Sequence, residues 1–219
     1  MDSYINKLKN DTPILSQVYF SNLLDGSMSF EIFKRSQVDF YSAVCYFSRP
    51  MFLLCSRMEK YADRVIILEN ILDEHGNGDI KDSHGETYKN YLLNLGINKN
   101  DIYKEFNHSA VSNFYSIVNQ TVENDKIETA IAMYGIMEDR YSEISLCIAS
   151  SLINNNWLKK DQLSHYKTHK KLDTYHAELF YKLVRNKWTE EIYRESIKKG
   201  LQLGNKIVFD MFNNLLKEK

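Results

Sequence analysis

The chain has 219 residues, a length that suits one domain spanning 1–219 with a sizeable core. Its 28 lysine and arginine residues nearly balance 29 acidic residues, and the net charge of -1 gives no overall field that would favour nucleic acid or an anionic membrane. With only 8 Gly and 2 Pro and a hydrophobic fraction of 43%, long uninterrupted elements are expected, so the composition predicts an all-α protein.

Apolar residues recur with helical spacing along most of the chain. In chain order, the pattern predicts helices over 13–24, about 30–49, about 51–74, about 82–95, about 110–122, a long helix ending near 154–156, about 159–185 and about 189–217. Residues 25–29 (DGSMS) should break the chain after the first helix, and Pro50 should kink or end the second. Asp125, three residues before Glu128, is typical of a helix start and places the beginning of the long helix there.

The cysteines and the N-terminus give little sign of chemistry or targeting. Cys45, Cys55 and Cys147 form no CxxC pair, so we expect buried free thiols. No apolar run follows a basic start at the N-terminus, and no window approaches the roughly 18 apolar residues that a membrane span needs. We therefore expect a cytoplasmic protein that binds neither membranes nor nucleic acid.

The segment HKKLDTYH places three potential metal ligands on one helical face. His169, Asp173 and His176 stand at positions i, i+4 and i+7, so their side chains project in the same direction within about two turns. Imidazole nitrogen and carboxylate oxygen together suit iron, manganese or zinc. A solvated polar stripe is the alternative interpretation of this triplet taken alone.

The segment DEHGNGDIKDSH, residues 73–84, interrupts a helical neighbourhood with acids, histidines and glycines. Glu74 ends one apolar helical run and His84 begins the next. Gly76 and Gly78 would let the chain turn between them, in which case their φ angles should be positive. This predicts that the loop brings Glu74 and His84 side by side.

Glu138 follows the apolar run IAMYGIM and is therefore a candidate for the inward face of the long helix. A carboxylate buried there would need a cation or a proton. Added to the two segments above, it completes three carboxylates and three histidines, enough to hold two divalent metals. The Glu-x-x-His pairs of ferritin-type sites do not occur at both required places, which disfavours that arrangement.

These three segments, in this order, resemble the ligand pattern of heme-oxygenase-like di-iron oxidases and oxygenases: Glu, ten residues to His, a later Glu, then His-x3-Asp-x2-His. The resemblance implies a heme-oxygenase-like bundle of about seven helices, often a homodimer, that binds two iron ions and activates O2 as co-substrate. It also implies an oxidoreductase acting on a small organic substrate, such as an amino acid or a related amine or carboxylate. The implied ligands and catalytic residues are Glu74, His84, Glu138, His169, Asp173 and His176.

The resemblance leaves the reaction open. Chlamydia-type relatives form para-aminobenzoate using a tyrosine and a lysine, and the matching positions here hold Phe20 and Ile148, with Tyr19 adjacent to the first. A non-catalytic interaction protein with a structural metal is an alternative from another class. Metal-free enzymes of the same fold, the thiaminase-like and quinone-cofactor-synthesis relatives, lack this ligand set.

Five further residues near these motifs have a simpler interpretation. His75 should face away from Glu74, because adjacent helical residues point in different directions. Asp139 and Glu143 should also turn away from the face of Glu138. His165, one turn before His169, could support a ligand or lie on the surface, and Tyr41 is expected to pack in the core more readily than to line a pocket.

Overall fold

The computed structural model describes residues 1–102 and 108–217, but the side chains of residues 164 and 167–172 are outside this description. The described residues form α-helices and short 3-10 turns without any strand, which confirms the all-α prediction. The helices are α1 (Asp2–Asp11), α2 (Val18–Leu24), α3 (Phe30–Tyr46), α4 (Arg49–Arg57), α5 (Tyr61–Glu74), α6 (His84–Asn94), α7 (Lys99–Ile102), α8 (Ser109–Asn124), α9 (Ile127–Asn154), α10 (Ser164–Val184) and α11 (Glu191–Asn214).

The described part of the chain thus has eleven helices, where about seven were expected. Two short ones, α1 and α7, lie outside the predicted runs. The predicted helix over 51–74 is in fact two helices, because residues 58 and 60 have extended backbone. Arg64 stabilises this break by donating hydrogen bonds to the carbonyl oxygens of Met58, at 2.6 Å, and Glu59, at 3.0 Å.

Two start and stop signals are confirmed, one of them only in part. Pro50 lies in the first turn of α4, just after α3 ends at Tyr46, so the predicted interruption is confirmed. The predicted start of the long helix near Asp125 is confirmed, since α9 begins at Ile127, but the N-cap is Lys126 and not Asp125. Asp125 instead pairs with Lys199 at 2.7 Å on the neighbouring helix α11.

Helix α9 lies at the centre of the core and packs along both α10 and α11. Glycines allow the close approach of α11: a Cβ atom on Gly200 would lie 2.2 Å from the carbonyl oxygen of Thr129, and one on Gly204 2.5 Å from that of Met133. Because α9 is covered on these sides, most of its residues between Glu128 and Glu138 are buried. A carboxylate at position 138 therefore lies inside the protein.

The cysteines are unpaired, and Cys55 and Cys147 are buried as predicted. Cys45 is exposed, contrary to expectation, because the buried face of α3 runs through Phe33, Gln37 and Phe40 and leaves residue 45 outside it. Among the described helices, none combines the length and apolar character needed to cross a membrane.

Candidate metal centre

The loop between α5 and α6 brings Glu74 and His84 together, as the sequence predicted. Glu74 is the last residue of α5 and His84 the first of α6, and the Nδ1 atom of His84 lies 2.8 Å from Oε1 of Glu74. Gly76 and Gly78 have φ angles of 74° and 98°. A side chain at Gly76 would be excluded in any case, because its Cβ atom would lie 2.6 Å from the backbone nitrogen of Ser83.

Helix α9 contributes Glu138, which is only 3% exposed. Its Oε1 atom accepts a hydrogen bond from Nδ2 of Asn70 at 3.0 Å. Asn70 lies one turn before Glu74 on the buried face of α5, so the same helix supplies one carboxylate and orients another.

Helix α10 contributes Asp173 and His176, both of which are fully buried. Ser145 of α9 donates a long hydrogen bond, 3.4 Å, to Oδ2 of Asp173. His169 lies on the same helix two turns before His176, but its side chain is outside the described residues. The predicted face of α10 therefore points inward at the two positions that are described.

The two ring nitrogens of His176 have different surroundings. Nε2 lies 3.0 Å from Oδ2 of Asp73, whereas Nδ1 is buried, makes no hydrogen bond to any described residue and lies 3.9 Å from Oε1 of Glu138. The contact with Asp73 assigns the ring proton to Nε2, and this N–H group donates a hydrogen bond to the carboxylate. The Nδ1 lone pair is then free to bind a metal, in the arrangement by which carboxylates commonly orient histidine ligands.

Glu74, Glu138 and His176 form the centre of the site. Each offers one ligand atom, and these atoms lie within 4.8 Å of one another. His84 adjoins this cluster through Glu74, and Asp173 lines the same cavity. The structure therefore brings together five of the six residues that the sequence singled out.

The carboxylates are held in a way that disfavours their charged forms. Burial raises the pKa of Glu138 well above its usual range, with further contributions from Asp173 and Glu74. Burial likewise raises the pKa of Asp173 to about 8. Burial alone would lower the pKa of His84, but Glu74 outweighs that effect and raises it. Without a cation, the cluster is thus short of positive charge.

A metal ion fits this set of residues on two grounds. The buried Nδ1 atom of His176 has no hydrogen-bond partner in the described part of the chain, although buried polar atoms normally have one. Beside it lie carboxylates whose repulsion a divalent cation would relieve. Mixed imidazole and carboxylate ligands suit iron, manganese and zinc.

A cavity of about 60 Å³ borders the cluster. Besides Glu74, His84, Glu138 and Asp173, its lining consists of aromatic and aliphatic side chains and one further histidine, namely Phe40, Ala43, Val44, Phe47, Phe114, Met137, Tyr141, His165, Val208 and Met211. The ligands thus face a chamber that is otherwise mostly apolar, which is typical of a site for a small molecule.

Several residues near the motifs lie where the simpler interpretation placed them. His75 is exposed, and its Nδ1 atom contacts the carbonyl oxygen of Ile71 at 2.8 Å. Asp139 and Glu143 both pair with Lys9, away from the cavity. Glu138 alone of these three acids therefore belongs to the site.

His165 is buried at the site and not on the surface. Its ring lines the cavity, its Nδ1 atom lies 3.1 Å from Oγ1 of Thr87, and its ring centroid lies 6.2 Å from that of His84. Asp73 and Asn70 were missed altogether. Asn70 could have been found from its position one turn before Glu74, whereas no local pattern indicates that Asp73 reaches α10.

The fold and the buried cluster define a helical protein with a candidate metal site, and comparison with known proteins gives the family. The sequence model of the family described as iron-containing redox enzymes matches residues 36–204. The chain belongs to this family. A comparison with proteins of curated function gave no match.

Solved structures share the fold at low sequence identity. A domain of unknown function with a heme oxygenase-like fold from Shewanella denitrificans superposes with a TM-score of 0.76 at 11% identity, covering 98% of this chain and 88% of that one. A TenA homologue from Pyrococcus furiosus gives 0.73 at 12% identity, covering 98% of each chain. A TenA homologue from Pseudomonas syringae gives 0.71 at 14%, covering 96% of this chain and 91% of that one. The heme-oxygenase-like fold is thereby confirmed.

Proposed function

We propose that this chain, acting as one domain, binds two iron ions and uses O2 to oxidise a small organic substrate. The observation that carries the proposal is the buried cluster of Glu74, Glu138 and His176, with a histidine nitrogen that has no hydrogen-bond partner among the described residues, in a member of an iron-containing redox family. The proposed ligands are Glu74, His84, Glu138, His169, Asp173 and His176. Iron(II) bound there would supply electrons to O2.

The protein's own residues would orient and shield the reaction. Asp73 holds the His176 ring so that Nδ1 faces Glu138, and Asn70 holds the Glu138 carboxylate. Orientation of this kind keeps ligands ready for the metal and raises their affinity. The mostly apolar cavity lining offers water few hydrogen bonds, so reactive species would meet a bound substrate before they meet solvent.

The cavity also indicates which part of a substrate it would hold. Among the described lining residues there is no lysine or arginine. Within the described lining, a substrate carboxylate would therefore find its positive partners at the metal ions and the cavity histidines. We propose a substrate with an apolar body, seated against residues such as Phe40, Phe114 and Met211, whose polar group points to the ligand cluster.

Iron content after anaerobic loading with Fe(II) tests the proposal. We expect close to two iron ions per chain, and fewer after His84→Ala. His75→Ala is a matched control, because His75 is adjacent in the loop region but exposed, and it should leave the iron content unchanged. Exposure of the loaded protein to O2 should then consume O2 and change the optical spectrum.

Other results would favour other functions. One tightly held zinc ion that is indifferent to His84→Ala, with no O2 consumption, would indicate a structural metal in an interaction protein. Release of para-aminobenzoate would indicate the Chlamydia-type reaction, although the positions expected for its tyrosine and lysine hold the buried residues Phe20 and Ile148.

We also propose that the protein is a homodimer, since the resemblance to heme-oxygenase-like di-iron enzymes implies one. Light scattering coupled to size-exclusion chromatography checks this. A mass near that of a single 25.8 kDa chain across the accessible concentration range would contradict it.

A further inference from the structure

A cluster of tyrosines is buried beside the candidate metal centre. Its centre is Gln37 of α3, whose Oε1 atom accepts hydrogen bonds from the hydroxyls of Tyr88 at 2.9 Å, Tyr91 at 3.0 Å and Tyr166 at 2.9 Å. The Nε2 atom of Gln37 donates to the hydroxyl of Tyr19 at 2.9 Å. None of these five side chains is more than 1% exposed.

The rings of the cluster are also in contact. Ring centroids are 5.2 Å apart between Tyr88 and Tyr91 and 5.0 Å apart between Tyr91 and Tyr166. Both pairs meet edge to face, a favourable geometry for aromatic rings. The phenols therefore form a continuous set in which each hydroxyl is close to another.

The cluster reaches the metal centre at two points. Tyr141 lines the cavity together with Asp173 and Glu138, and the ring of Phe40 contacts the rings of both Tyr141 and Tyr88, with centroids 5.9 Å and 5.8 Å apart. Burial raises the pKa of Tyr141 well above its usual range, and Tyr166 raises it further. The ring of His165, another cavity residue, lies 4.9 Å from that of Tyr88. A path of aromatic side chains thus leads from the cavity to Gln37.

Packing alone does not account for the hydroxyl groups. A carbonyl oxygen has two lone pairs, so three phenols at hydrogen-bond distance from Oε1 of Gln37 must share them. Burying a polar group stabilises a protein only when its hydrogen bonds are well satisfied. Phenylalanines, with an apolar residue in place of Gln37, would fill the same space without that cost, which directs attention to the chemistry of the phenol O–H bond.

We propose that this cluster is an internal reductant that donates hydrogen atoms to partly reduced dioxygen when no substrate occupies the cavity. The inference rests on the proposed function, which supplies O2 as the oxidant. Complete reduction of O2 to water takes more electrons than two iron(II) ions provide on becoming iron(III), and without a substrate or an external reductant the remainder would have to come from the protein.

Each step is a balanced hydrogen-atom transfer. The O–H bond of Tyr141 breaks, a new O–H bond forms on the reduced oxygen species, and a neutral phenoxyl radical remains on Tyr141. Tyr166 then gives its hydrogen atom to that radical, which restores Tyr141 and moves the radical into the cluster. Burial raises the pKa of Tyr88 and Tyr91 well above the usual range, so these phenols keep their protons and have a hydrogen atom to give.

Electron paramagnetic resonance on the iron-loaded protein tests this. After exposure to O2 without substrate and rapid freezing, we expect an organic radical whose signal narrows when the protein is made with ring-deuterated tyrosine. Tyr141→Phe should lose most of that signal. Tyr166→Phe should form the radical but lose it faster, because the radical cannot move into the cluster.

Tyr181→Phe is the matched control. Tyr181 is a buried tyrosine whose hydroxyl donates to Asp139 at 3.2 Å, away from the cavity, so its variant should keep the full signal. Circular dichroism of each variant checks that removal of one hydroxyl leaves the fold intact.

The remaining outcomes separate this inference from the proposed function. Iron binding and O2 consumption without a tyrosine radical, or equal signals in the Tyr141→Phe and Tyr181→Phe proteins, would overturn the internal reductant alone. Failure to bind iron or to consume O2 would overturn both.

Discussion

The two pairs of helices that form the candidate centre hold their ligands in different ways. Glu138 lies within the 28-residue helix α9, and Asp173 and His176 lie within the 21-residue helix α10. Glu74 and His84 are instead the last residue of α5 and the first of α6, on either side of a glycine-containing loop. Continuous helices preorganise side chains, whereas a loop leaves them free to shift, so the metal ligands should differ in rigidity.

Packing is close on both sides, but the backbone conformation differs. Where α9 meets α10, a Cβ atom on Gly135 would lie 2.7 Å from the Tyr181 ring, so the two helices are in close contact. On the loop side, Asn77 also has a positive φ angle, 52°, next to Gly76 and Gly78. We therefore expect the iron site completed by α9 and α10 to fill first, and the site that includes Glu74 and His84 to fill more weakly.

The largest effect should come from Asp173→Ala, which removes a buried carboxylate from the helix pair that we regard as rigid. We expect lower iron content at both sites and complete loss of O2-dependent turnover. Metal analysis and O2-electrode measurements check this. Glu178→Ala is the control, because Glu178 lies on the same helix but is exposed and pairs with Arg185. Unchanged iron content and O2 reactivity in Asp173→Ala would show that this residue is not a ligand.

Stepwise iron titration addresses the order of filling directly. In the wild-type protein we expect two phases, and in His84→Ala only the tighter phase, because the α9–α10 ligands remain. Calorimetry under anaerobic conditions separates the phases. If His84→Ala removed the tighter phase instead, the comparison between the two helix pairs would be reversed.

Loss of the Asp73 carboxylate should have a smaller effect than loss of a ligand. We expect Asp73→Ala to weaken iron binding by about 10–100-fold, as is usual when a histidine ligand loses its orienting partner. Asp73→Asn should fall between this variant and the wild type, because it keeps an acceptor for Nε2 of His176 without the charge. Glu69→Ala is the control on the same helix, since Glu69 is exposed and accepts from Tyr175. Equal affinities in all variants would contradict the orienting role.

The smallest effects should come from alanine substitutions at the two loop glycines, and these two effects should differ in size. Gly78→Ala should cost about 1–2 kcal/mol of unfolding free energy, because only its positive φ angle is strained. Gly76→Ala should cost more and also weaken the second iron phase, since its Cβ atom would push against Ser83 and displace His84. Chemical denaturation of the two variants gives the difference. Equal costs would mean that the loop moves aside without strain.

Much of the fold followed from local patterns. The helical spacing of apolar residues predicted most of the helices, and Pro50 correctly marked the end of one. The break at Met58–Lys60 escaped prediction, because it depends on Arg64 folding back onto the carbonyl oxygens of Met58 and Glu59. The ion pair of Asp125 escaped prediction for a similar reason, because its partner Lys199 is remote in the sequence.

By itself, the sequence determined which residues can share a helical face and where the chain can turn. The spacing of Asp173 and His176, and the glycines between Glu74 and His84, set these local relations, because they depend only on helix geometry and on the φ angles open to glycine. Only the tertiary structure decided that Asp73 reaches His176, that Asn70 reaches Glu138 and that four phenols meet at Gln37. Those contacts join residues far apart in the chain, and packing of whole helices selects them, so no local spacing encodes them.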